Sequence, residues 1–109
     1  MKKLFFVILI SFSILSCANT KKEYCLACEN EILKINKELK TTCEYYNHIH
    51  FNAIVFGASE YEIHHIKNIE QRISDLLNKR EYYEFEIKKN YRKWEFSPQT
   101  KKSYNDLKK

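Results

Sequence analysis

A chain of 109 residues with a formal net charge of +5 has room for one small domain. One glycine and one proline leave few turns and no glycine-rich loop able to cradle a phosphate. Lysine far outnumbers arginine, which speaks against a dedicated guanidinium site for planar anions.

The chain opens with Lys2 and Lys3, followed by an apolar run from Leu4 to Leu15 interrupted only by Ser11 and Ser13. A positive start, a short apolar middle and a small residue at the end describe a secretory signal peptide over residues 1–16. The run is too short to cross a bilayer, which takes about twenty residues. Its last four residues, Ile14-Leu15-Ser16-Cys17, resemble the signal of bacterial lipoproteins: an aliphatic residue, a tolerant position, a small residue and the cysteine. Leu15 departs slightly from the Ala or Ser usual in the second place. The resemblance covers the leader alone. It implies diacylation of the Cys17 thiol, cleavage after Ser16 and acylation of the new amino terminus. Attachment to membrane lipid with the mature chain facing the periplasm follows, and Ala18 in place of Asp favours the outer over the inner membrane.

From residue 21 to 56 the apolar residues fall three and four apart: Cys25, Cys28, Ile32, Ile35, Leu39, Thr42, Tyr46, Ile49, Ala53 and Phe56. That spacing places one stripe along one side of a helix. Thr20 to Glu23 fit a capping box at its start, and Gly57 stands where a left-handed residue ends a helix. A second capping box, Ser59 to Glu62, opens a second stripe: Ile66, Ile69, Ile73, Leu76, Arg80, Tyr83, Ile87, Asn90 and Trp94. Ser97-Pro98 ends this helix, because a residue before proline disfavours helical backbone. The expected fold is all-α: a long, antiparallel, coiled-coil-like two-helix hairpin within residues 17–96, its helices at about 21–56 and 60–96. A basic, disordered tail over 97–109 follows. Two helices bury little surface for their length, so a partner helix, a homodimer or both would complete the core. Thr41 to Glu44 also fit a capping box, which allows a break in the first helix.

Residues 88–109 hold eight bases against two acids. On an exported protein this points to anionic lipid, a cell-wall polymer or an acidic protein, and away from nucleic acid. The second helix returns toward Cys17, so Lys88, Lys89, Arg92, Lys93 and Trp94 are candidates for contact with the membrane surface.

Cys25 and Cys28 form a CxxC on one side of a helix, close enough to bridge or to do thiol chemistry. No strand precedes them, Glu29 stands where a haem-attachment motif needs histidine, and both fit the apolar stripe. Cys43 is an odd thiol about 22 Å along the helix from Cys28, which suggests burial or pairing between chains. These cysteines with His48 match a zinc set only loosely, and a straight helix separates them, so no metal is assigned. His48, His50, His64 and His65 flank the expected turn and read as surface residues. Ile54, Val55 and Phe56 at that turn read as a docking knob. With no cleft and no catalytic set, the expectation is neither enzyme nor cofactor carrier. It is a lipid-anchored interaction module of adaptor, assembly, exclusion, immunity or inhibitor type, with an envelope protein as partner. The alternative is a periplasmic thiol-redox or metal-binding protein working through Cys25, Cys28 and Cys43.

Overall fold

The computed structural model describes residues 17–108, with side chains placed from Thr20 onward. The expected leader and the Cys17 thiol lie outside this range. Three helices follow one another: α1 (Cys17–Phe56), α2 (Glu60–Asn90) and α3 (Pro98–Leu107). The first two form the expected antiparallel hairpin. Their partners run in opposite order along the pair: Tyr24 with Glu86, Glu38 with Arg72, Tyr45 with His65.

Both stripes face inward. Cys25, Cys28, Ile32, Ile35 and Leu39 from α1 and Ile69, Leu76 and Ile87 from α2 are buried. A large aliphatic side chain buried in this way contributes roughly 1.5–3 kcal/mol. The core is uneven. Beyond Leu39 the α1 stripe is only half-buried at Thr42, Tyr46, Ile49 and Ala53, and Phe56 is exposed. α1 continues through Thr41, whose hydroxyl donates to the Lys37 carbonyl, 3.2 Å, so the alternative break does not occur.

The turn follows its local chemistry. Gly57 has φ of 81°, a left-handed conformation that ends α1 without a Cβ clash. Ser59 caps α2, accepting from the Glu62 amide at 3.2 Å and donating to the Glu62 carboxylate at 3.1 Å.

Three expected boundaries are corrected. α1 is already helical at Cys17, before the Thr20 box, with no helix breaker between the two. α2 stops at Asn90 instead of reaching 96. Asn90 folds its amide onto the Glu86 carbonyl, 2.8 Å, and the chain turns through 91–97. That turn lets Trp94 and Phe96 pack against the Cys25–Cys28–Ile32–Ile87 cluster, burial that outweighs a further turn of helix. The tail is helical from Pro98 to Leu107 and docks on α1. Ser97 caps it with Pro98 in the first turn, and Leu107 packs on the Ile35–Leu39–Leu76 cluster. α3 runs in the same direction as α1 and covers only the half of the hairpin nearest Cys17.

Candidate functional site

The functional candidates divide between the two ends of the hairpin. At the Cys17 end, sequence reasoning missed the residues that organise the structure. Glu29 and Asn36, seven apart on one flank of α1, are buried polar residues at 5 % and 1 % exposure. The Glu29 carboxylate accepts from the Trp94 indole N–H at 2.8 Å, the Ser97 amide at 3.3 Å and the Thr100 hydroxyl at 3.1 Å. A capping box normally uses the residue three places into the helix to satisfy the cap amide. Here Glu29 of α1 does so for α3. Asn36 donates to the Ser103 hydroxyl and accepts from Arg80, both at 2.9 Å. Arg80 also lies over the Tyr104 ring, 5.0 Å away, while its Nε is buried without a partner. Tyr104 donates to Glu84 at 2.6 Å, and burial together with that carboxylate pushes its phenol well above the usual range. These groups lock α3 to α1 and α2, and open depressions flank them: one of about 250 Å³ between Asn36, Lys40, Lys102 and Asp106, and one of about 400 Å³ between Glu84, Phe85, Arg92 and Phe96.

The sequence-predicted residues at this end part company. Lys88, Lys89, Arg92 and Lys93 are exposed. Trp94 is half-buried, and its polar edge is taken by Glu29. That removes the free N–H which places tryptophan at a membrane interface. Because Trp94 meets Glu29 and Glu86 meets Tyr24, the basic turn lies beside the first turns of α1.

Cys25 and Cys28 are buried in the stripe as free thiols, 0 % and 2 % exposed. Cys25 points its thiol at the Ile87 carbonyl, 3.9 Å. Burial pushes both thiols above their ordinary pKa, with the neighbouring thiol adding to the effect at Cys25 and Glu86 at Cys28. A reactive cysteine has the opposite setting, lowered and accessible. Cys43 is half-buried and unpaired beside Leu107. No group of three or more metal-ligating side chains is gathered among the described residues.

The apex is apolar and open. Ile54, Val55 and Phe56 are 71, 53 and 80 % exposed, with Phe51 and Tyr61 beside them. The histidines around them are tied into local contacts: His65 to the Tyr45 hydroxyl at 3.0 Å, His48 to Asn52 at 3.3 Å, His50 stacked on Tyr46. A depression of about 270 Å³ lies where α3 ends, between Cys43, Leu77, Arg80 and Leu107. No described helix is long and apolar enough to cross a membrane. Comparisons of the chain with protein families, with curated proteins and with solved structures find no match.

Proposed function

We propose that this chain is a lipid-anchored bacterial envelope protein. It acts without catalysis, as an interaction module that carries a docking apex away from the membrane. The observation that carries the reading is the exposed apolar apex at the end of the hairpin far from Cys17. At 1.5 Å per residue the 40 residues of α1 span about 60 Å. Monomeric proteins keep contiguous apolar surface small, and clusters of large exposed side chains mark contact sites.

The lipobox-like Ile14-Leu15-Ser16-Cys17 supports attachment through Cys17, with the chain facing the periplasm and the outer membrane as the favoured site. Two or more acyl chains give stable anchoring where one does not. Lys88, Lys89, Arg92 and Lys93, beside the start of α1, supply a second contact with anionic headgroups worth roughly 1 kcal/mol each. The partner at the apex is a protein of the envelope, in an adaptor, assembly, exclusion, immunity or inhibitor role.

Metabolic labelling with a fatty acid tests the anchor. Wild type takes up label and partitions with membranes; Cys17→Ala takes up none and accumulates as precursor. An unlabelled wild type would sink the anchor reading. A photo-crosslinking residue at Val55 in intact cells tests the apex, and absence of any protein adduct there would sink the docking reading.

A further inference from the structure

A cleft of about 400 Å³ opens where the last turns of α2 meet the 91–97 turn, at the Cys17 end of the hairpin. Glu81, Glu84, Lys88 and Arg92 bring two charges of each sign to it. Glu84 stands four residues before Lys88, the spacing of a helix ion pair, yet its carboxylate takes the Tyr104 hydroxyl at 2.6 Å instead. The ion pairs among the described residues are Lys34 with Glu31 and Arg72 with Glu38, so the four charges of the cleft stand unpaired.

These charges are ordered. Along α2 toward Cys17 the acids come first and the cations after them. Phe96 belongs to the acid end, since it packs on the Tyr104 ring that bonds Glu84. Tyr91 belongs to the cation end, next to Arg92 and edge-on to Trp94. Phe85 and Tyr91 are 64 and 39 % exposed, open aromatic walls between the charges. Glu86 meets Tyr24, seven residues or about 10 Å from Cys17 along α1. Lys88 lies on the Cys17 side of that contact, and Glu81 lies about 8 Å to the other side.

A simple anion in this cleft would meet Glu81 and Glu84, and a simple cation would meet Lys88 and Arg92. A ligand with both charges on one short arm satisfies all four, its anion nearer Cys17. We infer that the cleft binds the phosphoethanolamine headgroup of a membrane phospholipid. Lys88 and Arg92 take the phosphate, one as a point charge and the other as a fork. The primary ammonium donates to Glu81 and to the remaining lone pairs of Glu84, and lies against the Phe85 ring. The order in the lipid is the order in the cleft: chains toward the membrane at Cys17, phosphate next, amine outermost. The acids set this site apart from a plain basic patch, which draws anionic lipid without choosing an amine. Lys89 and Lys93 lie outside the cleft and remain for the anionic surface. The inference rests on the reading of Cys17 as the membrane-held end, and every copy held there presents the cleft to the same membrane.

Trp94 is the chain's single tryptophan and lines the cleft, so its emission reports occupancy. The full chain, purified from membranes in detergent, is titrated with short-chain phosphatidylethanolamine, phosphatidylcholine and phosphatidylglycerol. A fourth titration uses glycerophosphoethanolamine, the same headgroup without chains. The ethanolamine lipid should shift the emission at a concentration about tenfold lower than the choline lipid, whose ammonium has no N–H to donate, and the glycerol lipid, which has no amine. Equal midpoints for the three lipids, or no shift with any, overturn the inference. A headgroup that binds as well without its chains overturns the lipid as the source and leaves a soluble phosphoethanolamine compound in its place. Glu81→Gln should erase the preference for ethanolamine over choline, whereas Lys88→Gln with Arg92→Gln should weaken both about equally. These substitutions change exposed side chains, and unaltered helix content by circular dichroism checks that the fold is kept. A Glu81→Gln protein that keeps the full preference overturns the ammonium assignment. Fatty-acid labelling at Cys17 is read separately, so failure of the anchor and failure of the cleft are told apart.

Discussion

Replacing Glu29 with alanine should release α3 while leaving the hairpin standing. The carboxylate accepts three hydrogen bonds. Thr100 is 1 % exposed, so its hydroxyl loses this acceptor and is left with Ser97 Oγ, 3.1 Å away. The Trp94 indole and the Ser97 amide are half-buried and recover part of their bonding from solvent. Hydrogen bonds to a charged group contribute about 1.5–3 kcal/mol, and an unsatisfied buried donor costs about 1–3. Allowing partial loss at each of the three gives about 3 kcal/mol. The loss falls on α3 because its ten residues are too few to persist as an isolated helix and Glu29 is the α1 group that bonds its first turn. Hydrogen exchange is the assay. About 3 kcal/mol speeds exchange of the amides from Thr100 to Leu107 about a hundredfold, with the amides of Ile32 to Leu39 changing far less. Glu29→Gln should fall between, since one acceptor oxygen can still receive the indole N–H. Unchanged exchange over 100–107 in Glu29→Ala would refute the claim that this carboxylate fastens α3.

Asn36→Ala removes the link between Ser103 and Arg80 and should cost about 2 kcal/mol in urea denaturation, where a cost near zero means the bridge is idle. Gly57→Ala meets no atom within 4 Å, so its cost is that of φ at 81° alone, about 1 kcal/mol, and Gly57→Asn should cost less; equal stability of all three contradicts the strained-turn account. In thiol titration Cys43 should react first and Cys25 and Cys28 only as the protein opens; comparable rates for all three in folded protein would show that the buried pair is accessible. Burial raises the pKa of both buried thiols above the ordinary 9.0, so the folded state holds their protons longer than the unfolded state does. Their contribution is therefore complete below about pH 9 and lost as pH rises further. The urea midpoint should hold from neutral pH to about 9 and fall above it, with Tyr104 adding to the fall; a flat midpoint to about pH 11 rules this out.

The hairpin was legible because its signals are local and periodic. A stripe at three-four spacing, one glycine at the turn and a serine cap two residues later need no knowledge of distant contacts. The errors arose where distant contacts decide. Asn90 and Trp94 sit on the same stripe, so periodicity carries α2 through 94; burial of Trp94 and Phe96 and the Glu29 bonds to Trp94 and Ser97 turn the chain away. Ser97-Pro98 reads equally as a stop for one helix and a start for the next, with serine at the cap and proline in the first turn. Taken as a stop, it hides α3. Glu29 and Asn36 left a faint trace, two polar residues seven apart beside an apolar stripe. Such residues face water in most helices, and no sequence pattern says that a helix seventy residues later will cover them. The basic count after residue 88 was likewise correct as charge but silent about Trp94, whose polar edge turned out to be an internal fastener.

The uneven core argues that the two halves of the hairpin do different work. Near Cys17, buried aliphatics, two thiols and the Glu29–Asn36 network hold three helices together. Beyond Leu39 two helices continue with half-buried contacts around one buried side chain, Ile69. Ordering each added residue costs roughly 1–2 kcal/mol of backbone entropy, and helical hydrogen bonding barely offsets it in water. A folded extension with so little core draws its order from the locked half and from whatever covers its open face. Binding surfaces come from the low-stability end of a fold. Here that end carries Phe51, Ile54, Val55 and Phe56, four of the most exposed apolar side chains among the described residues. On the proposed reading, a partner seated at the apex adds order to the thin half, which the α3 lock does not reach.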